Sequence, residues 1–353
     1  MFIAIDPVKI ERELLMPIVN QNDATAVSRY TEFIRQSPNA QITQDTGWAH
    51  VKNNWEPLYA YVENEQGAIA GALSILISDT PSGYKFAYAS KGPVVPYGDV
   101  AMLNALVAEV KATLIEKNVY LLRLDPEWRY DEALVQSILD AGYKVRGRNL
   151  AHLGMHATIQ PRLNMVIDLT KHPEAETLFD MVPSKTKNKL RKPSREGVVV
   201  DYGLTDDFLD DFYATYVTMS QRHEISHRPK DYFARMIETY KDTDIMRIYR
   251  AKLADETLAT TIGFDMGDKV WDMYAGSVDH DKTNALYATR VAMVEWALAT
   301  GKRRYDIGGI QAADESDGLY KFKRNIVRDE PTEYLGEIDV VLNPAAYADL
   351  VQE

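Results

Sequence analysis

MRIYRAKLADETLATTIGFDMGDKVWDMYAGS, residues 246–277, decides the fold. Met246 to Met266 carries β-branched and aromatic residues on both sides of a turn near Asp255-Glu256, which predicts a hairpin. Val270 to Ser277 predicts a third strand, holding Tyr274-Ala275-Gly276. Downstream, Ala285 to Thr300 has the apolar spacing of a helix, and Arg304 to Ile307 reads as a short buried strand. The same order occurs earlier in the chain. Pro57 to Ile77 is a hairpin turning at Asn64-Glu65-Gln66-Gly67, and Phe86 to Val95 is a strand holding Tyr88-Ala89-Ser90. Val100 to Lys117 is a helix, and Tyr120 to Leu124 is a buried strand stopped by Asp125-Pro126. The matched features lie about 185 residues apart, far beyond a solenoid period. The chain therefore reads as two copies of one domain.

Composition agrees with that division. A chain of 353 residues is too long for one ordinary core and suits two. With 46% hydrophobic and 26% charged residues, sizeable cores are expected rather than disorder. There is no cysteine, so disulfides, thiolate nucleophiles and cysteine metal sites are excluded together, as suits a reducing cytoplasm. A formal charge of −12 argues against wrapping long nucleic acid, which needs many clustered cations; no DNA partner is expected. No run of 18 apolar residues could span a bilayer, and Asp6, Lys9, Glu11, Arg12 and Glu13 interrupt the apolar run a signal peptide requires. A cytoplasmic protein is expected, as a monomer and without a cofactor.

Two local basic segments stand out against the acidic whole. Ser184 to Arg195, SKTKNKLRKPSR, packs Lys185, Lys187, Lys189, Arg191, Lys192 and Arg195 into a dozen residues; it is either a solvated helix face or a phosphate-binding surface. Arg304 to Asn325, RYDIGGIQAADESDGLYKFKRN, runs from a strand through Gly308-Gly309 and a polar loop into a short helix. There Leu319, Tyr320 and Phe322 alternate with Lys321, Lys323 and Arg324. The glycines let the backbone turn or approach a ligand closely. Metal ligation is poorly supported. His223-Glu224-Ile225-Ser226-His227 spells a zinc-protease pattern, but a third ligand and a helical setting are not evident, and no metal is expected. There is no nucleophile elbow and no P-loop.

A hairpin, strand, helix and strand in that order resemble the N-acetyltransferase-type α/β fold. Coenzyme-A users of that fold open the helix after the third strand with a glycine loop whose amides hold a pyrophosphate. Pro96 to Val100 and Asn284 to Val291 lack it, which disfavours acyl-CoA as donor. More specific are KNNWEP at Lys52, FAYASKGPV at Phe86, YLLRLDPE at Tyr120, MHATIQPRLNMVIDLT at Met155, PSKTKNKLRKPSREGV at Pro183, RHEISHRPKDYF at Arg222, WDMYAG at Trp271, YDIGGI at Tyr305 and LYKFK at Leu319. Together these resemble the FemABX peptidyltransferases, most closely the FemX type that adds the first residue of a peptidoglycan cross-bridge. The resemblance runs from about Met16 to the end, so residues 1–15 read as an extension or a mis-set start. It leaves no room for the helical coiled-coil arm of other members.

The resemblance implies an α/β (α+β) fold of two N-acetyltransferase-like domains with mixed sheets flanked by helices. Residues 1–162 with 335–353 would form the precursor-binding domain, and 163–334 the transfer and tRNA side. The implied reaction moves an amino acid, alanine first among the candidates, from aminoacyl-tRNA to the lysine side-chain amine of UDP-MurNAc-pentapeptide. By similarity, Lys52 and Arg228 would clamp the UDP pyrophosphate, with Asn53, Asn54, Trp55, Tyr120, Tyr232 and Tyr274 completing the site. Lys323 would stabilise the oxyanion or hold the tRNA end, Phe322 would shape the channel, and Asp125 would be a base or a turn cap. Lys185, Lys187, Lys189, Arg191 and Lys192 would meet tRNA. Asp272 departs from the close relative, which has an aromatic residue there. An acyl-CoA N-acyltransferase and a catalytically idle precursor- or RNA-binding protein are the alternatives.

Overall fold

Each of the two hairpins seeds its own sheet in the computed structural model, which describes residues 18–351; the extension expected over residues 1–15 lies outside them. Helix α1 (Ala24–Gln36) starts at Asp23, whose carboxylate accepts from the Thr25 and Ala26 amides, and the short helix α2 (Gly47–Val51) follows. The first sheet comprises β1 (Glu56–Glu63), β2 (Ile69–Asp79), β3 (Lys85–Ala89), β4 (Val119–Leu124) and β5 (Lys144–Arg146). Between β3 and β4 the chain crosses over through helix α3 (Val100–Glu116), and helix α4 (Glu132–Asp140) precedes β5. Parallel pairing of β3 with β4 requires such a crossover. Every residue of β4 is buried, as its apolar run suggests. Leu103, Leu106, Val110 and Leu114 of α3 bury against that sheet, each contributing about 1.5–3 kcal/mol.

The second sheet repeats the plan. Strand β6 (Leu163–Asp168) leads to the short helices α5 (Ser184–Leu190) and α6 (Lys192–Arg195) and to strand β7 (Val199–Gly203). Helices α7 (Asp206–Arg222) and α8 (Lys230–Tyr240) come next. Strands β8 (Met246–Leu253), β9 (Glu256–Met266) and β10 (Lys269–Ser277) form the meander, and helix α9 (Ala285–Ala299) crosses over to β11 (Arg304–Ile310), parallel to β10. Helix α10 (Gly318–Arg324) and strand β12 (Thr332–Glu333) follow. Strand β13 (Glu337–Val341) then enters the first sheet between β4 and β5, and helix α11 (Pro344–Leu350) packs beside Tyr120 and Leu121. The strand orders are β1-β2-β3-β4-β13-β5 and β12-β6-β11-β10-β9-β8-β7. Among the described residues the longest helices have 17 residues, so no helical arm is inserted. None is long and apolar enough to cross a membrane.

One apolar core belongs to both halves. Tyr30, Ile34, Ile42 and Trp48 pack with Phe212, Phe233, Tyr240 and Phe264, and the Trp48 ring meets Phe264 edge-on at 6.1 Å. The β9–β10 turn is pressed into this seam. Gly267 has φ +60°, and a Cβ there would lie 2.4 Å from the Ala40 carbonyl oxygen. Gly267→Ala is therefore expected to cost about 1–3 kcal/mol, read as a lower urea midpoint; an unchanged midpoint would contradict the close approach.

Two strand ends differ from expectation. The third strand stops at Ala89 rather than Val95, because Lys91 takes φ +54° and Pro93 has no N–H to give a ladder. The strand expected to end at Ile307 continues to Ile310. The Gly308-Gly309 pair is absorbed as a bulge, with Gly308 at φ +82° and the register shifting between Asp306 and Gly309.

Candidate functional site

The first cavity, about 260 Å³, opens between the halves. Lys52 directly follows α2, Arg228 lies two residues before α8 and Tyr232 in its first turn, and α8 packs on α2. Lys52 Nζ stands 5.7 Å from the Tyr232 ring centroid and 5.9 Å from that of Trp55. The Arg228 guanidinium lies 4.9 Å from the same Tyr232 ring, and Tyr232 and Tyr274 share a hydroxyl contact at 3.3 Å. Among the described residues neither cation has a carboxylate in ion-pair reach. Burial, and then the Arg228 charge, bring Lys52 down to about 8. Two cations held against each other without an acid form a site for a multiply charged anion. Asn53 and Asn54, beside Lys52 in the chain, are exposed and do not line the cavity. Tyr120 lines an adjoining groove beyond Phe86.

Asp125 follows β4 and is buried. It accepts the Lys91 amide at 2.5 Å and the Tyr88 hydroxyl, so its oxygens serve neighbours on the β3 side rather than its own turn. Burial pushes its carboxyl up to about 7 against the opposing pull of Tyr88 and Lys91. Tyr88 lines the cavity, and Asp125 does not.

Behind this wall a buried ionic ladder joins the halves. Glu127 receives Lys91 at 2.6 Å, Lys269 at 2.5 Å and Arg304 at 3.3 Å, and Lys269 also reaches Asp306 at 3.0 Å. Asp306 Oδ1 accepts the Gly308 amide at 2.8 Å and so fixes the bulge. The bulge presents the Gly309 carbonyl to Lys323 Nζ at 2.7 Å. Lys323 is buried within α10. Burial brings it down to about 8, opposed by the charges of Asp272 and Asp306. Asp272 itself pairs with Arg290 at 2.8 Å.

Phe322 stacks on Tyr287 at 4.8 Å, and both line a second cavity with Lys189, whose Nζ lies 5.5 Å from the Tyr287 ring centroid. Lys323 lines neither cavity: it follows Phe322, which lines the second, and lies near the charges of Asp272 and Asp306. The basic run divides into α5 and α6. Thr186, Leu190 and Pro193 are buried, while Lys185 and Arg191 are exposed and Lys187 is half-buried. Lys192 bonds the Lys282 carbonyl, and Arg191 lies over Phe179. The HEISH letters fall just past α7, with Glu224 at φ +54°, so the two histidines do not share a helical face. Sequence reasoning passes over Tyr88, Lys91, Glu127, Lys269 and Asp306 as functional groups. For the four charged ones the signal is a charge within or beside an apolar strand, as at Lys269 before Val270-Trp271 and Asp306 after Tyr305.

Two meander-and-crossover sheets flanking a cleft of cations and aromatic rings define a tandem N-acetyltransferase-like protein. A crystal structure of FemX matches it with a TM-score of 0.80 at 19% identity, over 92% of this chain and 98% of that one. A tandem GNAT protein from the clavulanic acid biosynthesis pathway matches with a TM-score of 0.52 at 13% identity, over 92% and 97%. The chain belongs to the FemAB family, whose model matches residues 25–256 and 248–351. It is 52% identical over 339 residues to the UDP-N-acetylmuramoylpentapeptide-lysine N(6)-alanyltransferase of Weissella viridescens, covering 96% of this chain and 100% of that protein. Identity to the lipid II:glycine glycyltransferase of Staphylococcus haemolyticus is 21% over 389 residues, covering 89% and 91%.

Proposed function

We propose that this chain is a cytoplasmic aminoacyltransferase that moves alanine from aminoacyl-tRNA to the lysine side-chain amine of UDP-MurNAc-pentapeptide, the first step of a peptidoglycan cross-bridge. The relative at 52% identity bears the name of that alanyl transfer. The observation that carries the reading is the pair Lys52 and Arg228, two cations on one tyrosine ring with no acidic partner among the described residues, which suits a pyrophosphate. In this division, residues 1–162 and 335–353 hold the precursor together with Arg228, Tyr232 and Tyr274 on the facing side of the cleft, and the remainder of 163–334 holds the donor.

The lysine amine attacks the ester carbonyl carbon of the donor, and negative charge develops on the carbonyl oxygen. The bond to the ribose oxygen then breaks, an amide remains, and the ribose oxygen takes a proton. Because the ester is already activated, catalysis is positioning plus stabilisation of the oxyanion. Lys323 is the cation for that oxygen, with Phe322 and Tyr287 walling the donor channel and the basic α5–α6 surface meeting the tRNA backbone.

Calorimetric titration with UDP-MurNAc-pentapeptide tests the precursor site. The free protein's Lys52 loses its proton as pH rises through about 8, while a bound pyrophosphate favours the charged form. Affinity is therefore expected to hold below pH 8 and to decline above it. Lys52→Met is expected to weaken binding and remove that decline, and Arg228→Met to weaken the nucleotide precursor but not a UDP-free peptide. Equal losses for both ligands would contradict a pyrophosphate clamp.

A further inference from the structure

The carboxylate that resembles a base cannot itself meet the substrate in this geometry. Asp125 is buried, lies outside the cavity lining, and has one oxygen on the Lys91 amide and the other on the Tyr88 hydroxyl. Tyr88 is the group that spans from Asp125 to the cleft. Ser90 and Gln160 line the same cavity beside it, so Tyr88, bonded to Asp125 through its hydroxyl, stands between that carboxylate and the precursor's space.

We propose that Tyr88 is a catalytic residue of the transfer, taking a proton from the ε-ammonium of the attacking lysine while passing its own hydroxyl proton to Asp125. This rests on the aminoacyl-transfer reading above. The balance is simple. One N–H bond breaks and one O–H bond forms at Tyr88, the original phenolic O–H breaks, and a new O–H forms on Asp125 Oδ2. The amine is left neutral to attack; the second proton it loses as the amide forms goes to the ribose oxygen as the C–O bond breaks, and Asp125 gives up the first before the next turnover.

Burial and the Asp125 charge hold the Tyr88 hydroxyl well above its ordinary range, so a free tyrosinate is not a stop on the way and the two transfers run together. The proton destination is a carboxyl raised to about 7 by burial, a value suited to a base near neutral pH. The surrounding charges are arranged consistently. Lys91 beside Asp125 has its ammonium on Glu127, and Lys269 and Asp306 from the second sheet continue that pairing. Glu337 of β13 supplies the nearby negative charge that helps to raise Asp125. The same pairing explains why Lys91, despite its amide bond to Asp125, does not hold that carboxylate fully ionised.

Tyr88→Phe keeps the ring and removes only the hydroxyl. In an assay with UDP-MurNAc-pentapeptide and alanyl-tRNA, run beside the unsubstituted protein, transfer is expected to fall about 100-fold or more with precursor binding unchanged. The rise in rate through about pH 7, present in the unsubstituted protein, is expected to vanish. Asp125→Asn is expected to do the same, and the double variant to be no slower than either single one, because the two act as a unit. A rate measured in mixtures of light and heavy water with the unsubstituted protein gives a second readout: a curved dependence for two protons in flight supports the relay, and a linear one overturns it. Turnover by the unsubstituted protein with an equally active Tyr88→Phe overturns the relay alone. No transfer by the unsubstituted protein overturns the aminoacyl-transfer reading and the relay with it.

Discussion

Replacing Lys323 by methionine is expected to lower alanyl transfer by about 100-fold or more, the loss that follows removal of one oxyanion donor, while UDP-MurNAc-pentapeptide binds as before. Methionine keeps the length and apolar stem of lysine, so Tyr320 and Phe322 on the same helix keep their packing. The ammonium it removes is the one positioned by the β11 bulge, held at 2.7 Å by the Gly309 carbonyl and with donors to spare for a developing oxyanion. The precursor site at Lys52 and Arg228 lies on other elements, which is why binding and turnover should separate. Because burial brings Lys323 down to about 8, the rate of the unsubstituted protein should fall as pH rises past that value. With Asp125 at about 7, the activity profile should be a narrow bell between the two. Single-turnover rates across pH check both points; unchanged turnover in Lys323→Met would remove that residue from the chemistry.

The second large effect falls on stability. Glu127→Gln is expected to destabilise the fold by about 3–5 kcal/mol at neutral pH, the usual result of removing one partner from a buried ionic pair. Burial pushes Glu127 up, but Lys269, Lys91 and Arg304 overcome it, and the carboxyl is held well below its ordinary range. A depressed folded-state value contributes stability above the unfolded carboxylate range, and that contribution is lost as pH falls through the folded value. The difference between Glu127→Gln and the unsubstituted protein should therefore be full at pH 7 and narrow below about pH 4. Urea midpoints at several pH values measure it; a constant difference across pH would mean that lost packing, not charge, is responsible. Since Lys269 and Asp306 reach the bulge beneath Lys323, the variant should also turn over more slowly while still folded.

The repeat of sheets is legible because strand alternation, turn residues and one helical crossover recur in the same order twice. The limits of that reading are local. Gly308-Gly309 looks like a stop, yet β11 continues through it, because its pairing to β6 resumes at Gly309 after the shift. Helix α8 has its signal in plain sight, Tyr232, Phe233, Met236, Ile237 and Tyr240 on one buried face, although RHEISHRPKDYF draws attention to its charges. The cleft cations Lys52 and Arg228 are 176 positions apart in the chain, and only a resemblance joins them before the fold does. The ladder of Lys91, Glu127, Lys269, Arg304 and Asp306 is harder still, since no local pattern tells a charge that will be buried against four others from one that meets water. Asn53 and Asn54 show the converse: the resemblance groups them with Lys52, and after α2 both are exposed and outside the cavity lining. Tyr120 is placed by its strand in the adjoining groove, because Phe86 stands between it and Tyr88.

The most direct test of the account is the product itself. Purified protein incubated with lysine-containing UDP-MurNAc-pentapeptide and alanyl-tRNA should yield a nucleotide product heavier by one alanine residue, with fragmentation placing the addition on the lysine side chain. Acetyl-CoA in place of the charged tRNA should yield none. A precursor of unchanged mass with alanyl-tRNA, or one acetylated by the coenzyme, would contradict the proposed reaction.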